Sequence, residues 1–234
     1  VDKTGKLKVH TTKTASAVIT ASYGPVVQNV TVTVADGRFW YSLGNGLGNG
    51  QDNNWYLDGN GASVVSSDGK KTIVQMGSGY RGDLWLARSG KGKVVNVTPA
   101  DYRYFAIKVG FKSQLVPGKN KPNGCIKLEI FDDGIKKIGP EYFGTGGDAN
   151  NRYEILGASE ISTTEPNVLY YDLQSKYKTV TPTDWNQVFD LAQCKFVIAD
   201  FPETAQTYDL YWIRSFKSVE ELQAFVDSEN NTNE

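Results

Sequence analysis

The chain has 234 residues, 39% of them apolar, 28 aromatics and a formal net charge of -1. Such a balance, with Lys and Arg scattered and never in a run, excludes a phosphate-backbone partner, which demands a basic surface. No apolar run reaches the roughly 20 residues a bilayer-spanning helix needs, and two cysteines, Cys125 and Cys194, are too few for a disulfide scaffold.

In chain order, VDKTGKLKV carries no apolar signal core. Residues 1–35 are Thr/Val/Ala-rich with few aromatics. They are expected to supply the first strands of the same fold, the alternative being the end of a preceding domain. Short period-two segments then recur: SAVITASY (16–23), QNVTVTVA (28–35), GRFWYSL (37–43), KTIVQMG (71–77), DLWLARS (83–89), YRYFAIKVGF (102–111), CIKLEIF (125–131), VLYYDLQ (168–174), CKFVIAD (194–200) and YDLYWIRSF (208–216). Turn signals separate them at Asp36-Gly37, Asp68-Gly69, Pro117-Gly118 and Asp133-Gly134. The pattern predicts an all-β fold, an antiparallel jelly-roll β-sandwich in one domain. One helix closes it: Ser218 and Glu221 form a capping box, and Val219, Leu222 and Phe225 make a stripe that docks on the sandwich near 218–227. The tail after it, SENNTNE, is expected to fray. Cys125 and Cys194 are expected to be buried, unbonded thiols.

Alternation sorts the side chains by face. Phe105, Ile107, Val109 and Phe111 point to the core, leaving Tyr102, Tyr104 and Lys108 opposite. Ile126, Leu128 and Ile130 are core, leaving Lys127 and Glu129 opposite. Leu84 and Leu86 look inward, so Trp85 faces outward beside Asp83. Leu169, Tyr171 and Leu173 form one set, and Val168, Tyr170 and Asp172 the other. An outer face with Tyr, Trp, Lys, Glu and Asp has two explanations: a second covered layer with wet polar tips, or a platform where rings stack on sugars and polar groups hold the hydroxyls.

Two Gly/Asn/Asp-rich stretches flank this face: GNGLGNGQDNNWYLDGNG (44–61), with Trp55 and Tyr56, and YFGTGGDANNRYE (142–154), with Tyr142 and Tyr153. Both suit irregular, self-capped loops. Asp52, Asn54, Asp58 and Asn60 are oxygen donors of the kind calcium takes, but their spacing is not that of a calcium loop. No other cofactor is expected. His10 is the only histidine, and no nucleophile, zinc or phosphate-loop motif is present. A glycosidase would need a carboxylate pair; Glu129 with Glu141, Glu154 or Asp172 is the best available.

At VLYYDLQSKY, KFVIADF and YDLYWIRSFKSVEELQAF the chain resembles Bacteroidetes extracellular proteins with jelly-roll domains like carbohydrate-binding modules, often lipoproteins and encoded beside polysaccharide-utilisation genes. Trp212-Ile213-Arg214-Ser215-Phe216 and the 218–226 helix carry that resemblance. It implies a sandwich fold and a glycan context at the cell surface, extracellular or periplasmic. With no catalytic motif in the chain, a non-catalytic, monomeric polysaccharide binder is expected. The candidate glycan contacts are Trp55, Tyr56, Trp85, Tyr102, Tyr104, Lys108, Glu129, Tyr142, Tyr153 and Asp172. The alternatives are a sandwich glycoside hydrolase or lyase and a structural interaction domain.

Overall fold

The alternating segments form strands, and antiparallel pairing sorts them into three sheets. The structure is a computed structural model that describes residues 15–34, 38–48, 55–57, 61–77, 82–88, 91–92, 95–97, 101–115, 126–132, 153–174, 189–198, 202 and 206–231. The elements are β1 (Ala15–Tyr23), β2 (Val26–Val34), β3 (Trp40–Ser42), β4 (Tyr56–Leu57), β5 (Ser63–Ser67), β6 (Thr72–Gln75), β7 (Gly82–Arg88), β8 (Lys91–Gly92), β9 (Val95–Val97), β10 (Tyr104–Phe111), β11 (Ile126–Asp132), β12 (Glu154–Ile155), β13 (Asn167–Asp172), β14 (Phe189–Ile198), β15 (Thr207–Phe216) and the helix α1 (Val219–Asn231).

Two of the sheets make the predicted all-β sandwich. The larger runs β12-β13-β10-β15-β6-β5, with β3 also on β15; the smaller runs β11-β14-β7-β4, with β8 on β7 and β9 on β14. One buried apolar cluster joins them. Phe105, Ile107, Val109, Leu169, Tyr171, Leu210 and Ile213 enter it from the larger sheet, and Leu84, Leu86, Leu128, Phe196 and Ile198 from the smaller. The inward sets read from alternation in β10, β13 and β7 are therefore the core. Cys194 is a free, fully buried thiol whose pKa burial pushes up; Cys125 lies outside the described residues.

In β15 the period breaks. Lys108 pairs with Trp212 but Val109 pairs with Leu210, so Tyr211 is an extra residue in the ladder. Such a bulge re-aims the side chains around it. Leu210 and Ile213, three apart, both reach the core, while Trp212 joins the packing on the opposite face.

The hairpin β1–β2 stands apart. Gly24 takes φ 57 at the first central position of its turn, where a primed turn requires glycine. Its register puts Ala17 opposite Val32, Ile19 opposite Val30 and Tyr23 opposite Val26, an apolar face, with Thr20 opposite Asn29 behind it. Among the described residues, β1 and β2 hydrogen-bond with each other as a sheet of their own. Tyr23 is 90% and Val30 59% exposed. A variant lacking residues 1–34 is accordingly expected to melt within a few degrees of the full chain in a calorimetric scan. A drop of more than about 10 °C would show that the hairpin belongs to the cooperative unit.

The helix caps as predicted, with the Glu221 amide donating to Ser218 Oγ at 3.2 Å; the Glu221 carboxylate accepts from the Lys217 amide at 2.7 Å. Leu222 is fully buried, and Phe225 and Val226 pack with it on Ala106, Val168, Trp212 and Phe216, the outer face of the larger sheet. Helical structure continues to Asn231, past the predicted end near 227, because Glu229 is tied to that sheet. Its carboxylate accepts from Lys108 Nζ at 3.1 Å and Trp212 Nε1 at 3.0 Å.

Candidate functional site

Register lays the outer face of the larger sheet out in cross-strand rows. One row runs Tyr170, Ala106, Arg214, Trp40 across β13, β10, β15 and β3; the next runs Asp172, Tyr104, Phe216. The helix covers the middle of both, where the small Ala106 leaves room for Leu222 and Phe225. What stays accessible is a flank on each side: Tyr104, Tyr170 and their neighbours on one, Trp40 on the other.

The first flank is the candidate site. The Tyr104 and Tyr170 rings lie 6.1 Å apart at 70°, an edge-to-face corner with both residues half-buried. Arg103 donates through Nε and Nη2 to both oxygens of Asp172, Nε at 2.6 Å, and its guanidinium lies 5.3 Å from the Tyr104 ring centroid. The Gln174 amide adds a third bond to Asp172 at 2.9 Å. This pairing raises the Arg103 pKa, and burial, then the Glu154, Tyr104 and Asp172 charges, raise that of Tyr170. Glu154 pairs in register with Tyr170 and is exposed. The result is a ring corner bordered by a fixed guanidinium–carboxylate pair and an open carboxylate. Such an arrangement stacks an apolar ring face and hydrogen-bonds hydroxyls around it.

The other sequence candidates fall elsewhere. Trp55, expected exposed on a loop, is 0% exposed in the core beside Phe196, with ring centroids 5.7 Å apart. Its neighbour Tyr56 begins β4, which pairs with β7, and is half-buried. Trp85 does share a face with Asp83, but that face is covered: Trp85 is 8% exposed, under Lys195 Nζ at 4.6 Å, and Lys195 lies 4.0 Å from Asp83. Tyr102 is also buried, 5% exposed, and Tyr153 packs against the core. Lys108 points outward as predicted but is held under the helix by Glu229. Glu129 pairs in register with Lys195, its side chain outside the described set. Tyr142, Glu141 and the calcium candidates Asp52, Asn54, Asp58 and Asn60 also lie outside the described residues. Of the ten glycan candidates, Tyr104 and Asp172 come together at the site.

Sequence reasoning passed over Arg103 and did not rank Tyr170, although alternation had put Tyr170 on the outer face. It also missed Trp40, 41% exposed, which the same rule applied to GRFWYSL would have turned outward between Phe39 and Tyr41.

A family model described as "Domain of unknown function (DUF4979)" matches residues 43–222, which takes in the sandwich strands from β4 to β15 and the first turn of the helix. No curated protein matches the chain.

Proposed function

We propose a non-catalytic glycan-binding role for this chain, which belongs to the DUF4979 family of domains of unknown function. The observation that carries the reading is the half-buried Tyr104–Tyr170 corner with Arg103, Asp172 and Glu154 at its border. A pyranose offers an apolar C–H face and a rim of hydroxyls, and this corner offers a ring face and a rim of donors and acceptors. Both oxygens of Asp172 are engaged by Arg103, with the Gln174 amide added, which fixes it as a positioning carboxylate. Asp172 is therefore not a free carboxylate partner for Glu154 in acid–base hydrolysis. In keeping with the resemblance noted above, the proposed ligand is a polysaccharide met outside the cell, at the outer-membrane surface or in the periplasm.

A glycan array on the purified chain, followed by titration of the best ligand, tests this. Tyr104→Ala and Tyr170→Ala are each expected to weaken binding about ten-fold or more, as the loss of a stacked hot-spot ring does, with the melting temperature changed by only a few degrees. No reducing ends should be released from the bound polysaccharide. Full affinity in both variants, or steady release of reducing sugar, would defeat the proposal.

A further inference from the structure

The outer face of the larger sheet continues past Lys108. Val109 and Phe111 point to the core, so Gly110 and Lys112 are the next outward positions along β10, beyond the Lys108–Glu229 tie at the C-terminal end of the helix. Gly110 lies opposite Asp209 of β15, and Asp209 lies opposite Ile73 of β6. Here the bulge brings Tyr211 beside Gly110: a Cβ on that glycine would stand 3.7 Å from Tyr211 Cε2 and 3.3 Å from Asp209 Cβ. A bare strand position of this kind lets an aromatic ring lie close to the backbone. Tyr211 is half-buried, with Lys108 Nζ 5.6 Å from its ring centroid.

Next to the ring, two ammonium groups share one carboxylate oxygen. Asp209 Oδ2 accepts from Lys71 Nζ at 2.6 Å and from Lys112 Nζ at 2.9 Å. Asp209 is 1% exposed, and its other oxygen, Oδ1, is buried with no hydrogen-bond partner among the described residues. One ammonium is enough to neutralise this carboxylate. The second comes from the more open side chain, Lys112, which is 50% exposed against 27% for Lys71. Each ammonium carries three donors and gives one to Asp209, so further donors stand around an acceptor that has none. Charge then selects the class of ligand. Burial first, then Asp209, Asp68 and Glu165, raises the Tyr211 pKa, with Lys71 opposing. Three carboxylates therefore act at the edge of the ring, and the two lysines leave no positive surplus for an anion.

We propose that Tyr211, Lys71, Lys112 and Asp209 form a second sugar subsite, and that the glycan of the proposed function is a neutral one. The proposal rests on that reading for its polymer and on this cluster for its class. The Tyr211 ring takes the C–H face of a pyranose, the lysines donate to its hydroxyl oxygens, and Asp209 accepts from a hydroxyl. Tyr104 and Gly110 are six residues apart on β10, about 20 Å of strand, with the helix docked between them. The tyrosine corner and the new subsite thus hold separate stretches of one polymer.

The test is calorimetric titration of the full chain with neutral polysaccharides (glucans, mannans and xylans), a polyuronate and a sulfated galactan. Wild type is compared with Tyr211→Ala, Lys112→Gln and Tyr104→Ala. A neutral polymer is expected to bind more tightly than either acidic one. Tyr211→Ala should weaken that binding about ten-fold, and Lys112→Gln several-fold. Lys112→Gln alters a half-exposed side chain, so it keeps the test decisive if Tyr211→Ala lowers the melting temperature. Full affinity for the neutral polymer in both variants overturns the subsite and leaves the tyrosine corner standing. Loss in these two variants with full affinity in Tyr104→Ala upholds the subsite and removes the corner. Tighter binding of an acidic polymer overturns the assignment of a neutral ligand. If no polysaccharide binds, the glycan reading and the subsite fall together.

Discussion

Trp55→Ala is expected to destabilise the fold by about 3–5 kcal/mol, the cost of deleting a large buried ring from a packed core. The indole is fully buried, edge-on to Tyr41 of the larger sheet with centroids 6.0 Å apart at 84°, and 5.7 Å from Phe196 of the smaller sheet. Its removal leaves a cavity between two sheets, and neither can collapse without breaking ladder bonds. Phe105→Ala, in contact with Phe39 at 4.4 Å between centroids, should cost a similar amount. Urea unfolding monitored by circular dichroism measures both. A loss below about 1 kcal/mol for Trp55→Ala would return that residue to the surface. Tyr170→Ala provides the contrast, since a half-buried ring on the outer sheet face should cost binding and little stability.

Trp55 also shows where a sequence reading of this chain stops. Its Gly/Asn-rich surroundings speak for an irregular loop, and composition says nothing about what the loop rests on. Part of the glycine content there is packing: a Cβ on Gly44 would lie 2.3 Å from the Gly69 carbonyl oxygen, and the Gly69 amide donates to the Gly44 carbonyl at 3.0 Å. Gly44 is therefore pressed against the β5–β6 turn, and Trp55 is buried in the core. Alternation worked well where strands are regular. Phe105, Ile107, Val109 and Phe111 are all core, and Tyr104, Tyr170 and Asp172 share the other face, as expected.

Alternation assigns a face without saying whether that face is wet. Trp85 and Lys108 were put on the correct sides, yet both are covered. The helix stripe of Leu222 and Phe225 was also legible, and docking on the sandwich was expected. Nothing in a period of two or 3.6 marks Ala106, Val168, Trp212 and Phe216 as the place it docks. The bulge at Tyr211 hides this further, because it moves Trp212 onto the outer face against the alternation of the residues before it. The site that remains is what the helix leaves uncovered, which depends on tertiary packing.

That packing hinges on Glu229, and Glu229→Leu is expected to cost about 3 kcal/mol, near the lower end for breaking a buried pair because the partners keep some exposure. The carboxylate accepts from Lys108 Nζ and Trp212 Nε1 and stands 3.7 Å from Arg214, with the Lys108 and Arg214 side chains 17% and 12% exposed. Leucine would leave two largely desolvated cations and an indole N–H facing an apolar side chain. Glu229→Gln should cost less, since its amide oxygen can still accept from Trp212 while the two cations lose their counter-charge. The order Leu worse than Gln, both worse than wild type, separates an electrostatic anchor from simple loss of helix length. Hydrogen exchange supplies the spatial test: protection in residues 226–231 should fall first, while β10 and β14 stay protected. Equal stability of all three chains would mean that Leu222 and Phe225 alone hold the helix, and the tie at its C-terminal end would carry no weight.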